Sequence, residues 1–371
     1  MPPTVCRYGI MGTAAIARKN WLAIRNADNS RLVAVASRDR DRARAFIAGC
    51  QSTVPLDPPP RAMGSYEELL ACEDIDAIYI PLPTALRWQW AVEAARAGKH
   101  VLCEKPCAAS VAELESMVAA CAASNVQFMD GVMWMHSRRL EPLRAVLDDP
   151  ATIGEIRRIV SQFTFNAPDD FATANIRMDA ELEPLGCLGD LGWYTIGMIL
   201  WVMHHRLPTR VTGRLLRSGA STRGGAPVPV EFSGELLFDD GAGVSASFFT
   251  SFRMANQQLV SVGGSRGSVR LDDFVLPYVG NEVEFTVSQP AFVNDVCRFD
   301  MERHDRRIAV AEFASSHSTA QETNLFRAFS QVVIGGVPDP RWPAVSLAIQ
   351  RVMMACVESA EQTGVEVALT E

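Results

Sequence analysis

Through about residue 128 the chain alternates short apolar runs with amphipathic stretches, the pattern left by repeated strand–helix units that build a parallel sheet. The apolar runs predict strands over Cys6–Met11, 32–37, Ala77–Ile80, His100–Cys103 and 127–129. Between them the spacing predicts helices over 14–26, 40–48, 66–71, 86–97 and Val111–Ala123. The run Asp57-Pro58-Pro59-Pro60 suits neither element, because proline lacks the backbone donor and restricts the residue before it, so it predicts a surface loop.

Beyond about residue 150 the pattern changes. Segments rich in branched and aromatic residues predict strands over 156–165, 210–216, Val228–Phe238, 244–252, 259–263 and Ser268–Leu271. Turn signals at Asp239-Asp240-Gly241 and Gly263-Gly264 predict antiparallel or mixed pairing. A helix over 188–203 is apolar nearly all round, and two more, over 319–333 and 343–362, close the chain. The expected fold is an N-terminal α/β Rossmann domain (1–128) with a parallel, doubly wound sheet. It is followed by an α+β domain (129–371) with a large, open-faced mixed or antiparallel sheet. A length of 371 residues suits two cores better than one.

Composition narrows the function. Hydrophobic residues make up 48% and charged residues 21%, ordinary globular usage rather than the signature of disorder. A formal charge of -8 argues against a nucleic-acid partner, whose phosphates call for a basic face. The nine cysteines show neither disulfide nor zinc spacing and are read as small, reduced core residues. The first residues lack secretory features, so a cytoplasmic protein is expected. The longest apolar run, near 196–203, is far short of the ~20 residues that span a bilayer.

The turn after the first strand reads Gly12-Thr13-Ala14-Ala15-Ile16-Ala17, a G-x-A-x-x-A form of the dinucleotide fingerprint. Gly12 permits the tight turn, Ala14 lets the backbone approach a pyrophosphate, and Ala17 allows close helix–strand packing; any tight strand–helix junction also favours small residues. The phosphates would rest on the helix N-terminus. The second strand ends at Ser37-Arg38, with Arg42 following, where an NAD-selective site carries a carboxylate. A hydroxyl and two guanidinium groups favour a 2′-phosphate, so NADP(H) is preferred over NAD(H). The alternative is a solvated helix start with Asp39 and Asp41 as its acids.

The segment 97–106, AGKHVLCEKP, resembles the signature of the glucose-fructose oxidoreductase / inositol dehydrogenase (Gfo/Idh/MocA) family. Ile80-Pro81-Leu82-Pro83-Thr84 is similar to that family's loop after the fourth strand, and the 185–194 run to its G-G-x-L-x-D-x-G-x-Y/H element. Gly264-Ser265-Arg266-Gly267-Ser268 resembles a turn of its C-terminal sheet, so matches run in order over nearly the whole chain. The resemblance implies that Lys105 is the shared catalytic and binding lysine, with Glu104 beside it in the cofactor site. It also implies cofactor contacts from Pro81, Leu82, Pro83 and Thr84. Read from the residues alone, Lys105 follows a strand at the ligand-binding edge, where a cation would stabilise a developing alkoxide or pair with Glu104.

Asp190 and Tyr194 are spaced i, i+4 and share a helix face. The resemblance implies a phenol that exchanges the substrate proton and a carboxylate that orients a hydroxyl; the bland alternatives are a helix cap and a core aromatic. Two departures stand out: Arg87 replaces a histidine usual in relatives, and Leu185-Gly186 replaces a Gly-Gly pair. Trp134, His136, Arg138 and Arg177 are candidate substrate contacts, or else ordinary interdomain polar groups. His204-His205 lack a third ligand at metal spacing, so no metal site is expected. The expected activity is hydride transfer to or from a secondary alcohol or ketone of a sugar, polyol, keto-sugar or cyclic diol, in a homo-oligomer formed through the C-terminal sheet. A nucleotide-sensing regulator and a nicotinamide-dependent glycoside hydrolase are the alternatives.

Overall fold

A computed structural model describes residues 4–369 apart from 223, 240 and 242. The chain divides into two compact units, the first gathering residues through Ser137, Glu181–Pro184 and Phe313–Gln350, and the second the remainder.

In the first unit, strands β1 (Cys6–Met11), β2 (Ser30–Ala36), β3 (Arg61–Met63), β4 (Ala77–Ile80), β5 (His100–Cys103) and β6 (Phe128–Asp130) form one parallel sheet in the order β3-β2-β1-β4-β5-β6. That order reverses direction between β1 and β4, the place where doubly wound sheets open a ligand crevice at their strand ends. Both central strands are buried almost throughout, as a sheet covered on both faces requires. Helices α1 (Ala15–Asn26), α2 (Arg40–Gln51), α3 (Tyr66–Leu70), α4 (Thr84–Arg96) and α5 (Val111–Ala123) connect the strands. The triple-proline segment is irregular and leads directly into β3, which the sequence pattern did not reveal because only three residues long it shows no period.

The helix Gln321–Gly335, from late in the chain, returns to this unit and packs on α1 and β1. Tyr8 in β1 shares a 2.8 Å hydrogen bond with Ser330, Lys19 pairs with buried Glu322 at 2.5 Å, and Asn26 donates to the Ser316 carbonyl at 2.8 Å.

The second unit is built around a nine-stranded sheet. Its elements include α6 (Leu140–Leu147), β7 (Ile156–Asn166), α7 (Phe171–Ala174), α8 (Trp193–Val202), β8 (Arg210–Gly219), β9 (Val228–Phe238), β10 (Val244–Ser251), β11 (Arg253–Gly264), β12 (Ser268–Leu271), β13 (Glu282–Ser288), β14 (Ala291–Asp295), β15 (Arg298–Glu302) and β16 (Asp305–Ala311). After α9 (Gln321–Gly335) and α10 (Arg341–Glu361) comes β17 (Val367–Ala368). The sheet order is β16-β13-β12-β11-β7-β10-β9-β8-β17, antiparallel except where β10 runs parallel to β7. Strict alternation of buried and half-exposed residues along β9 and β10 places one face on a core that α8 covers.

Strands β13 to β17 have no counterpart in the sequence-based reading. β14 and β15 pair only with each other and are exposed on both sides, so no alternation marks them. The 259–263 strand extends back to Arg253 because its first half is largely exposed and polar. Of the turn Asp239-Asp240-Gly241, Asp240 lies outside the described residues. Seven cysteines are buried, but Cys72 is half-buried and Cys297 is exposed at the β14–β15 turn, so these two depart from the expected core role.

Candidate active site

At the end of β1, Gly12 adopts φ 109°, a conformation that a side chain resists, and a Cβ there would stand 3.0 Å from the Leu82 side chain. Its N–H donates to the Ala36 carbonyl at 2.8 Å, closing the turn. Thr13 and Ala14 lead into α1, which starts at Ala15 with no side-chain cap and no acid in its first turn; Ala15 and Ile16 are exposed. By contrast α2, α3 and α5 are capped by Asp39, Ser65 and Ser110. The open amides and missing Cβ at this turn suit a bound phosphate.

Ser37 is buried at the end of β2, and Arg38 and Arg42 stand exposed just beyond it. Asp39 accepts from the Asp41 amide at 2.8 Å, so this acid serves the helix start rather than a ribose. Arg40 and Arg44 are occupied by Glu68 and Asp41, respectively. Arg38 and Arg42 instead act on the Tyr66 phenol, whose pKa burial raises and the two guanidinium groups lower. The Tyr66 hydroxyl lies 3.8 Å from a notional Gly12 Cβ. Tyr66 thus lies beside this turn, a neighbour that sequence reasoning missed because its helix pattern marks it only as core. A basic strand end, whose nearest acid Asp39 is taken up as the cap of α2, beside an uncapped helix fits a dinucleotide bearing a 2′-phosphate.

Pro81 and Leu82 are buried in the loop after β4, Pro83 is half-buried, and Thr84 opens α4 fully buried. The Thr84 amide and hydroxyl both donate to Glu183, at 3.0 and 2.5 Å. This distant cap starts the helix two residues earlier than its apolar spacing indicates. Arg87, in the first turn, is buried and donates from Nε to the Leu82 carbonyl at 2.7 Å and from Nη1 to Thr84 Oγ1 at 3.1 Å and the Pro106 carbonyl.

After β5, Glu104 is buried, and its Oε1 accepts a 2.6 Å hydrogen bond from the Tyr79 hydroxyl, which in turn accepts from Asn20 Nδ2 at 2.6 Å. Burial, and then the Glu104 charge, push the Tyr79 phenol well above its ordinary pKa, so it remains a donor. A Cβ at Gly131 would stand 3.2 Å from the same carboxylate. Lys105 follows, half-buried, joined to Pro106 by a cis peptide. It is one of only three lysines among 35 basic residues. Of the others, Lys19 is paired with Glu322, and Lys99 donates to the Cys72 and Ile75 carbonyls at 2.6 and 2.9 Å.

Trp134 and His136 lie on a short 3-10 turn after β6. Trp134 is buried; His136 stacks on Trp342 at 4.8 Å, and its sealed Nε2 has no hydrogen-bond partner. Burial lowers the His136 pKa to about 3, so the ring is neutral at ordinary pH.

In the second unit, Asp190 sits in a π-helical turn, Leu188–Gly192, that leads into α8, and Tyr194 follows in the first turn of α8. Expected as one regular helix, this segment opens as a wider turn, and a Cβ at Gly192 would meet the Leu188 side chain at 2.7 Å. Arg177 Nε donates to Asp190 Oδ2 at 2.7 Å, uniting two residues chosen separately from the sequence. Tyr194 is buried and meets Phe163 edge-on at 5.6 Å. Gly186 has φ 47°, and a Cβ there would lie 2.2 Å from the Pro229 carbonyl; Leu185 is buried beside it. Gly186 thus meets a conformational need that Leu185 beside it does not share. Arg138 is exposed, its amide donating to Glu312 at 2.6 Å, whereas the adjacent Arg139 is buried and paired with Asp273 at 2.5 Å. Among the described residues no group of three or more His, Cys, Asp or Glu could hold a metal ion, and no helix is long and apolar enough to cross a membrane.

The family model described as "Oxidoreductase family, NAD-binding Rossmann fold" matches residues 6–132, and the GFO/IDH/MocA C-terminal domain model matches 143–270. The chain belongs to the Gfo/Idh/MocA oxidoreductase family. It is 32% identical to a dTDP-3,4-didehydro-2,6-dideoxy-alpha-D-glucose 3-reductase of Streptomyces violaceoruber, over 84% of each chain. To the D-xylose 1-dehydrogenase (NADP(+)) 2 of Haloferax volcanii it is 30% identical, over 98% of this chain and 99% of the other. Among solved structures, a 3-ketoreductase from Actinomadura kijaniata in complex with NADP and TDP-benzene superposes with a TM-score of 0.77 at 25% identity, covering 96% of this chain and 98% of that one.

Proposed function

We propose that the protein is an NADP(H)-dependent oxidoreductase that interconverts a secondary alcohol and a ketone on a sugar, polyol, keto-sugar or cyclic diol. The observation that carries this reading is Lys105, a lysine retained beyond β5 in a chain that otherwise uses arginine almost throughout. An arginine supplies a charge but cannot be deprotonated, whereas an ammonium is a compact charge whose proton can move. The relatives' sugar and NADP specificities, together with the basic end of β2, support the substrate and cofactor classes.

When bound, NADPH would supply the hydride for ketone reduction and NADP+ would accept it in alcohol oxidation. The chain's own groups do the rest: the Gly12–Ile16 turn and α1 hold the phosphates, and Ser37, Arg38 and Arg42 hold the 2′-phosphate. Lys105 Nζ stabilises the substrate oxygen as it gains negative charge, Tyr194 exchanges its proton, and Asp190, fixed by Arg177, orients a neighbouring hydroxyl. The protein acts in the cytoplasm as a homo-oligomer joined through the open face of its nine-stranded sheet.

The test is an absorbance screen with NADPH and NADP+ against sugars, polyols, keto-sugars and dihydrodiols. Turnover abolished in Lys105→Ala supports the reading; turnover that survives the substitution overturns it.

A further inference from the structure

Among the described residues, the buried guanidinium of Arg87 has no carboxylate of its own. Its three acceptors are the Leu82 carbonyl, the Thr84 hydroxyl and the Pro106 carbonyl. The nearest charge compensation in this chain of contacts comes through Thr84, whose amide and hydroxyl are both held by Glu183, while the next amide, Ala85, donates to the Leu182 carbonyl at 3.1 Å. A histidine would offer two ring nitrogens; arginine offers five N–H groups in a rigid fork and so reaches both loops at once. One loop follows β4, and the other carries Lys105.

We propose that Arg87 is a positioning residue for Lys105. Held in place by the Thr84–Glu183 pair, it grips the carbonyl of the residue after the lysine and fixes the backbone from which Nζ projects. The inference rests on the catalytic reading of Lys105. It also explains Glu183, which belongs to a four-residue segment grouped with the first unit although the chain on either side belongs to the second.

The experiment uses the chain's three lysines. Full-length protein, with NADPH bound, is trace-acetylated with acetic anhydride across a pH series, and peptide mass spectrometry gives the rate at Lys105 relative to Lys19. In Arg87→Gln the loosened loop raises the Lys105 rate, or shifts its pH profile, by about threefold or more. Because Arg87 also holds Leu82 and Thr84 of the loop after β4, the NADPH dissociation constant is measured alongside, and the Lys105 change exceeds any loss of NADPH affinity. Glu183→Gln, a milder change, moves Lys105 in the same direction, and Arg87→Lys restores part of the difference. With a substrate from the screen, kcat falls by a larger factor than KM for NADPH rises.

Unchanged Lys105 labelling in folded Arg87→Gln or in Glu183→Gln overturns the proposal, as does a change that merely tracks lost NADPH affinity. If Arg87→Gln does not fold, Glu183→Gln decides. Turnover that survives Lys105→Ala would remove the catalytic reading yet leave the labelling result standing, so the two failures are distinct.

Discussion

Replacing Tyr79 with phenylalanine removes one oxygen from a site that has no solvent to take its place. The phenol is fully buried, donates to the Glu104 carboxylate at 2.6 Å and accepts from Asn20 at 2.6 Å. A hydrogen bond to a charged group contributes roughly 1.5–3 kcal/mol, and stranding a buried amide donor costs about 1–3 kcal/mol. Tyr79→Phe is therefore expected to destabilise the protein by about 3–5 kcal/mol, a large share of the ~5–15 kcal/mol typical of a folded domain. In a protein of this size that corresponds to a drop in Tm of about 4–6 °C. Urea titrations of the wild type, Tyr79→Phe, Glu104→Gln and the double variant give the coupling energy directly. With a neutral amide at 104 the tyrosine substitution should cost much less. A loss below about 1 kcal/mol, or perfect additivity, would refute the claim that this phenol holds the carboxylate beside Lys105.

Reversing charge beyond β2 with Arg38→Glu should weaken NADPH binding by about tenfold or more while NADH changes only a few-fold; equal losses in a fluorescence titration would contradict the 2′-phosphate assignment. Arg139→Met strands buried Asp273 and should cost about 3–5 kcal/mol, most of it recovered when Asp273→Leu is added; denaturation midpoints check this. His136 is neutral in the fold, its pKa lowered by burial from 6.5 to about 3. Between those values the unfolded chain binds the extra proton, so stability is complete above the higher value and declines as the pH falls toward the lower. His136→Asn should flatten the decline in Tm as the pH falls from about 6.5 toward 3, and an unaltered acid slope would show that the ring is not the source.

Much of the first unit was legible because its strands lie in a covered parallel sheet and its helices are amphipathic, so burial writes a period into the chain. Strands such as Cys6–Met11 and His100–Cys103 appear where the apolar runs put them. What escaped was set by partners far along the sequence. The start of α4 depends on Glu183, ninety-nine positions away, and no local pattern carries that information. β14 and β15 face water on both sides, so nothing alternates. In the candidate site, the turn at Gly12 could be read from residue type and position, whereas the lysine beyond β5 was singled out by the resemblance of its motif to the family's. Tyr66 could not, because a phenol reads as core, and Arg87, though it stood out as a departure from the family pattern, has acceptors that only the folded neighbours reveal.

The late helix α9 makes the cofactor-binding unit discontinuous in sequence. A fragment ending near Ser137 would carry the whole six-stranded sheet and still leave Tyr8, Lys19 and Asn26 without Ser330, Glu322 and the Ser316 carbonyl. Recombining relatives at the apparent boundary would therefore splice together halves that evolved against different last helices. A chimera meant to exchange cofactor preference must bring its own C-terminal segment along, so inheritance of this half is a matter of both ends of the gene.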